Sequence, residues 1–129
     1  MSRLLLDTHT FLWWVDDAPE LRGKARRAIA DVNNECCLSM ASCWEMAIKA
    51  SLGKLRLAKS VERFISEQLA ANGFALLNIT LGHAAKVEKL PFHHRDPFDR
   101  LLVAQAMTEK LIIVSADTVF SRYGVKVLW

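Results

Sequence analysis

Five acidic residues stand where a carboxylate can do more than solvate a surface. Asp7 closes the apolar run RLLLD, and Glu45 lies early in the helical pattern that follows ECCLS. Asp96 and Asp99 bracket a proline in HHRDPFDRLLVAQA, and Asp117 follows LIIVSA directly. Asp96 fits a helix N-cap, with Pro97 at the first helical position, where its missing N–H costs nothing. Asp99 is harder to place. At spacings of three, four and seven it shares a helical face with Leu102, Val103 and Ala106, so it points toward apolar surroundings. Carboxylates are almost never buried without a partner.

Four of these acids have a route to one end of the molecule. Two carboxylates ~4 Å apart repel by about 4 kcal/mol at an effective dielectric near 20, so a convergent set must bind protons or share a cation. The chain has no Cys-x-x-Cys and no histidine pair at ligand spacing. An oxygen-donor site of this kind suits Mg²⁺ or Mn²⁺ rather than zinc. Ions held this way can activate a water and stabilise a leaving oxygen in an in-line displacement. With a net charge of +3, weakly compatible with a polyanionic partner, the chemistry points to phosphodiester hydrolysis.

Each acid also has a local duty open to it. Asp7 could cap DTHT, Asp117 could cap TVFSRY, and Glu45 could complete a Ser-x-x-Glu capping box with Ser42. Asp99 could do the same for Asp96. Four independent caps have no reason to converge, whereas these four can.

The elements that must position them follow from the apolar patterning. RLLLD (3–7), ECCLS (35–39), FALLNI (74–79), LIIVSA (111–116) and VKVLW (125–129) are short aliphatic runs. Helical patterns lie between them: ELRGKARRAIADV, with Leu21, Ala25, Ala28, Ile29 and Val32 on one face, then WEMAIKASL, VERFISEQLAAN and HAAKVEKL. Ser60 and Thr80 are suitable caps. Strands apolar throughout and alternating with helices predict an α/β fold, a three-layer α/β/α sandwich around a central parallel sheet. In such a sheet ligands bind at the carboxyl ends of the strands, where Asp7 and Asp117 fall.

The 129 residues are expected to form a single domain, 1–129, burying roughly two-thirds of the unfolded surface. No apolar run approaches the ~20 residues of a membrane span. The early acids and the absence of a small-residue cleavage site argue against a signal peptide, so the expected location is cytoplasmic. Cys36, Cys37 and Cys43 are odd in number, two are adjacent, and they read as small hydrophobes of a buried strand.

Taken in order, LLLDTHTFLWW, SMASCWEMAIK, HRDPFDRLLVAQA and SADTVFSRYGVKVLW resemble PIN-domain ribonucleases. More narrowly, they resemble the VapC-type toxins of bacterial toxin–antitoxin pairs. The likeness spans essentially the whole chain and implies a Mg²⁺- or Mn²⁺-dependent endoribonuclease. It further implies a homodimer that cleaves cellular RNA and is neutralised by a cognate antitoxin protein. The family's acids fall on Asp7, Glu45, Asp99 and Asp117, with Asp96 an additional acid of the DPFD pattern. Thr8 and Ser115 border the site and could hold a metal-bound water, or serve as ordinary turn hydroxyls. Arg95 and Arg100 flank the acids and could meet phosphate, Arg100 alternatively being a solvated helix residue. His9, His93 and His94 are expected in solvated loops, and Arg22, Lys24, Arg26 and Arg27 on a solvated or partner-facing side. Phe11, Trp13, Trp14 and Val15 read as core, with a share available to an antitoxin segment. The rival reading is a catalytically silent module of the same fold that binds RNA or protein.

Overall fold

Strand and helix alternate from the first residues, and the apolar runs become the strands. A computed structural model describes residues 1–129 in the order β1 (Arg3–Leu6), α1 (Thr8–Val15), α2 (Gly23–Ala30), β2 (Glu35–Ser39), α3 (Met40–Ser51) and α4 (Val61–Asn72). The chain continues through β3 (Ala75–Leu77), α5 (Leu81–Lys86), α6 (Pro97–Glu109), β4 (Ile112–Val114) and β5 (Val127–Leu128). Short 3-10 helices cover Val87–Lys89 and Thr118–Tyr123.

The five strands are all parallel, in the order β3-β2-β1-β4-β5. From β1 the chain winds outward through β2 and β3, then returns past β1 to build β4 and β5. The two windings part between β1 and β4, and connections leaving in opposite senses open a crevice at the carboxyl ends of those strands. Leu6 pairs with Leu38 on one side and Val114 on the other, so the residues that follow all three share one edge of the sheet.

Both faces of the sheet are covered, which is why its strands carry no polar alternation. Leu4, Leu6, Cys36 and Leu38 pack with Phe11, Ala25, Ile29 and Ile65 from α1, α2 and α4. Leu5, Cys37 and Ile113 point the other way, against Leu102, Val103 and Ala106 of α6 and Phe120. The result is the expected α/β/α sandwich. Cys36 and Cys37 are buried in β2, and burial pushes their thiols up to about 11 and about 12, so both are inert packing groups. Ser60 and Thr80 cap α4 and α5 as expected, accepting from the N–H groups of Arg63 and His83. No helix is long and apolar enough to cross a membrane.

Two local expectations change. Of FALLNI only Ala75–Leu77 pairs, because β3 is an edge strand; Leu76 is consequently exposed while Phe74 turns into the core. Val32 does not join the buried face of α2 and is 95% exposed. The helix stops at Ala30, and Asp31 takes an extended conformation that carries the chain off the helical path.

Candidate active site

Asp7 caps a helix with one oxygen and turns the other to the crevice. It ends β1 in extended backbone, and its Oδ1 accepts the Thr10 N–H at 2.8 Å as the N-cap of α1. That leaves Oδ2, which accepts the Ser115 hydroxyl at 2.5 Å. Thr10 Oγ1 donates to the Val114 carbonyl at 2.9 Å, so α1 is stitched to β4 across the crevice beneath the carboxylate. Asp7, Thr8 and Ser115 are all buried.

Glu45 enters the crevice from α3. The capping box with Ser42 does not form: Ser39 is the N-cap, accepting the Ala41 N–H at 3.0 Å, and the buried Ser42 hydroxyl has no partner. Glu45 is therefore free of capping. Its Oε1 accepts from Thr8 Oγ1 at 2.6 Å, and its Oε2 faces Lys49 Nζ at 2.8 Å one helical turn on.

The two aspartates of DPFD divide their work. Asp96 Oδ1 accepts the N–H groups of Phe98 at 2.8 Å and Asp99 at 3.2 Å, which satisfies the first turn of α6. Asp99, with that turn already capped, turns its own carboxylate to the crevice, where Oδ2 lies 3.0 Å from His94 Nε2. Asp117 Oδ1 caps the following 3-10 helix through the Val119 N–H at 2.9 Å, and its Oδ2 lies 3.2 Å from the same His94 nitrogen. The Asp117 N–H donates to Ser115 Oγ at 3.0 Å, so one hydroxyl touches both Asp7 and the Asp117 backbone.

The electrostatics record the convergence. Burial pushes the Asp99 carboxyl up to about 7, assisted by the negative charges of Asp96, Glu45 and Asp7 and opposed by His94. Acids contributed by β1, α3 and α6 thus sense one another across the crevice. Ligand-type atoms of His94, Asp99 and Asp117 lie within 4.8 Å of one another.

Two basic residues differ from their expected settings, and a third was not foreseen. His94 is not a solvated loop histidine: its ring lies between two acids, with its side chain 19% exposed. Arg100 is neither solvated nor free to meet phosphate. It is buried, and its guanidinium donates to the carbonyls of Pro91 at 2.8 Å and of Val87 and Leu90 at 3.2 Å. It pins the loop that carries His93 and His94 to the head of α6. Lys49, the one cation in contact with Glu45, was signalled only by its i,i+4 spacing from that residue. Arg95, beside Asp96, is exposed, as is His9.

Comparison with known proteins gives a coherent result. Residues 4–126 match the PIN-domain family model. The chain is 31% identical over 118 residues to Ribonuclease VapC22 of Mycobacterium tuberculosis, covering 91% of this chain and 88% of that one. Among solved structures, it resembles the DNA-bound VapBC of Salmonella typhimurium with a TM-score of 0.70 at 17% identity, over 99% of this chain and 98% of that one. It also resembles VapBC2 of Rickettsia felis bound to a promoter DNA fragment, with a TM-score of 0.71 at 13% identity, over 98% and 97% of the two chains.

Proposed function

The chain belongs to the PIN-domain family, and on that premise we propose that it is a divalent-cation-dependent endoribonuclease, the toxin of a toxin–antitoxin pair. It hydrolyses phosphodiester bonds in cellular RNA, acts in the cytoplasm as one domain over residues 1–129, and pairs as a homodimer held silent by a cognate antitoxin. The observation that supports the reading is that acids from separate elements face the β1–β4 crevice: Asp99 and Asp117 meet at His94, Ser115 links Asp7 to the Asp117 backbone, and the charges of Glu45 and Asp7 reach the Asp99 carboxyl.

The donor set fits a hard divalent cation, Mg²⁺ or Mn²⁺. It offers carboxylate oxygens and no thiolate, and the Asp99 carboxyl, raised to about 7 chiefly by burial and further by neighbouring acids, is one that a cation would help to ionise. Asp7, Glu45, Asp99 and Asp117 would hold the ion, while Asp96 serves α6 as its cap. When bound there, such a cation would supply Lewis acidity for phosphodiester hydrolysis.

The remaining work falls to side chains already in place. Thr8 holds one oxygen of Glu45 and Lys49 the other, so the carboxylate cannot rotate away. Ser115 does the same for Asp7. Arg95, exposed at the rim, meets the RNA backbone, a contact that positions without specifying sequence.

Expression without antitoxin should arrest growth, and Asp7→Asn should relieve the arrest. Asparagine caps α1 about as well as aspartate, so the variant keeps its fold. A soluble Asp7→Asn protein that still arrests growth would remove catalysis as the cause.

A further inference from the structure

The hydrogen bonds of His94 run in one direction only. Its Nδ1 lies 3.1 Å from the backbone nitrogen of Asp96. A backbone amide can only donate, so Nδ1 must offer a lone pair. With Nδ1 accepting, the ring N–H turned to the acids is the one on Nε2. That nitrogen faces two acceptors, Asp99 Oδ2 at 3.0 Å and Asp117 Oδ2 at 3.2 Å.

Turning the ring over would set carbon atoms against the Asp96 N–H and the two acids and lose these contacts. The His94 backbone N–H donates to the Tyr123 hydroxyl at 2.8 Å, and the ring packs 6.1 Å, centroid to centroid, from Phe120. Tyr123 and Phe120 are both buried. A histidine that ligates a metal presents a lone pair to it and usually donates from its other nitrogen. Here the two roles are exchanged: the nitrogen facing the acids carries the hydrogen, and the nitrogen facing away accepts one.

From this polarity we infer that His94 is a positioning residue and not a metal ligand. Its Nε2–H ties Asp99 at the head of α6 to Asp117 behind β4, and so sets the spacing of two carboxylates that different elements supply. The inference rests on the metal-centre reading of the acids and adds to it the group that aligns two of them. It also accounts for the buried Arg100, which fixes the loop bearing His94 through three backbone carbonyls.

Long-range ¹H–¹⁵N correlation spectra of the full chain in EDTA read the tautomer directly. The expected spectrum shows a protonated Nε2 and a bare Nδ1; a proton on Nδ1 overturns the inference. Mg²⁺ is then added, with the backbone amides of residues flanking Asp7 and Glu45 reporting its arrival. Those amides should shift while Nε2 keeps its proton. Loss of that proton as they shift makes His94 a ligand and the inference wrong. Amides that never move refute the metal centre instead, and the EDTA spectrum alone then decides whether His94 is the donor. Kinetics supply a second arm. His94→Ala should lower kcat by about 10–100-fold with KM for RNA nearly unchanged. His94→Gln, which retains an N–H donor, should recover part of the loss; equal losses in the two variants would overturn the positioning role.

Discussion

Ser115 and Asp7 stand 108 positions apart in the chain, and the Ser115 hydroxyl donates to Asp7 Oδ2 at 2.5 Å. The bond closes the carboxyl end of the crevice between β1 and β4, the two strands at which the sheet changes its direction of winding. Because the same hydroxyl accepts the Asp117 N–H, one serine holds two acids in relation to each other.

Ser115→Ala should therefore harm the site more than the fold. Loss of the two hydrogen bonds of this hydroxyl costs about 2 kcal/mol, whereas removing a residue that orients a metal ligand typically lowers affinity or activity about 10–100-fold. Thermal melting beside calorimetric titration with Mn²⁺ separates the two effects. Unchanged Mn²⁺ affinity in Ser115→Ala would show that Asp7 needs no such support.

Asp99 should leave a signature in the metal-free protein. Its carboxyl titrates at about 7 in the fold against an ordinary 3.8, so the folded chain holds that proton more tightly than the unfolded one. The stability this contributes is complete below about pH 4 and is lost as the pH rises through about 7. Asp99→Asn carries no titrating group, so the difference between variant and wild type isolates the effect. In EDTA, Asp99→Asn should melt progressively higher relative to wild type as the pH is raised from about 5 to about 8. A difference that stays flat across that window would contradict the raised Asp99 carboxyl that its burial, and then its acidic neighbours, produce.

Asp96 should fail differently from Asp99. Asparagine caps a helix nearly as well as aspartate, so Asp96→Asn should cost little, while Asp96→Ala should cost about 0.5–2 kcal/mol. Asp96→Asn should also keep a good part of its cleavage activity at saturating Mg²⁺. If Asp96→Asn melts normally yet is as inactive as Asp99→Asn, Asp96 belongs to the site and not only to the head of α6.

These contrasts show what could be read from the chain and what could not. The apolar runs predicted five parallel strands because burial on both faces leaves no polar alternation, and β2 matches its predicted bounds of 35–39. The caps at Ser60, Thr80 and Asp96 were visible because capping depends on residues within one turn. Contacts between distant segments left no such trace. His94 reaches Asp117 across 23 positions, and nothing in HHRDP distinguishes a histidine between two acids from one in solvent. Arg100 read as a phosphate contact or a solvated helix residue, because a charge beside acids at a helix head usually is one or the other. Only the fold of the loop at 87–91 supplies the three carbonyls that make its burial tolerable. Glu45 is the opposite case: its local pattern offered a capping box as an alternative duty, but Ser39 at the end of β2 already fills that role.

The four acids are expected to work through a divalent cation. Purified protein freed of its antitoxin should be incubated with total cellular RNA, first in EDTA and then after restoring Mg²⁺ or Mn²⁺, beside Asp99→Asn under the same conditions. The prediction is no cleavage in EDTA, discrete cleavage products once the cation is restored, and none from the variant at either step. Equal cleavage by the wild-type protein in EDTA and in Mg²⁺ would contradict the central claim.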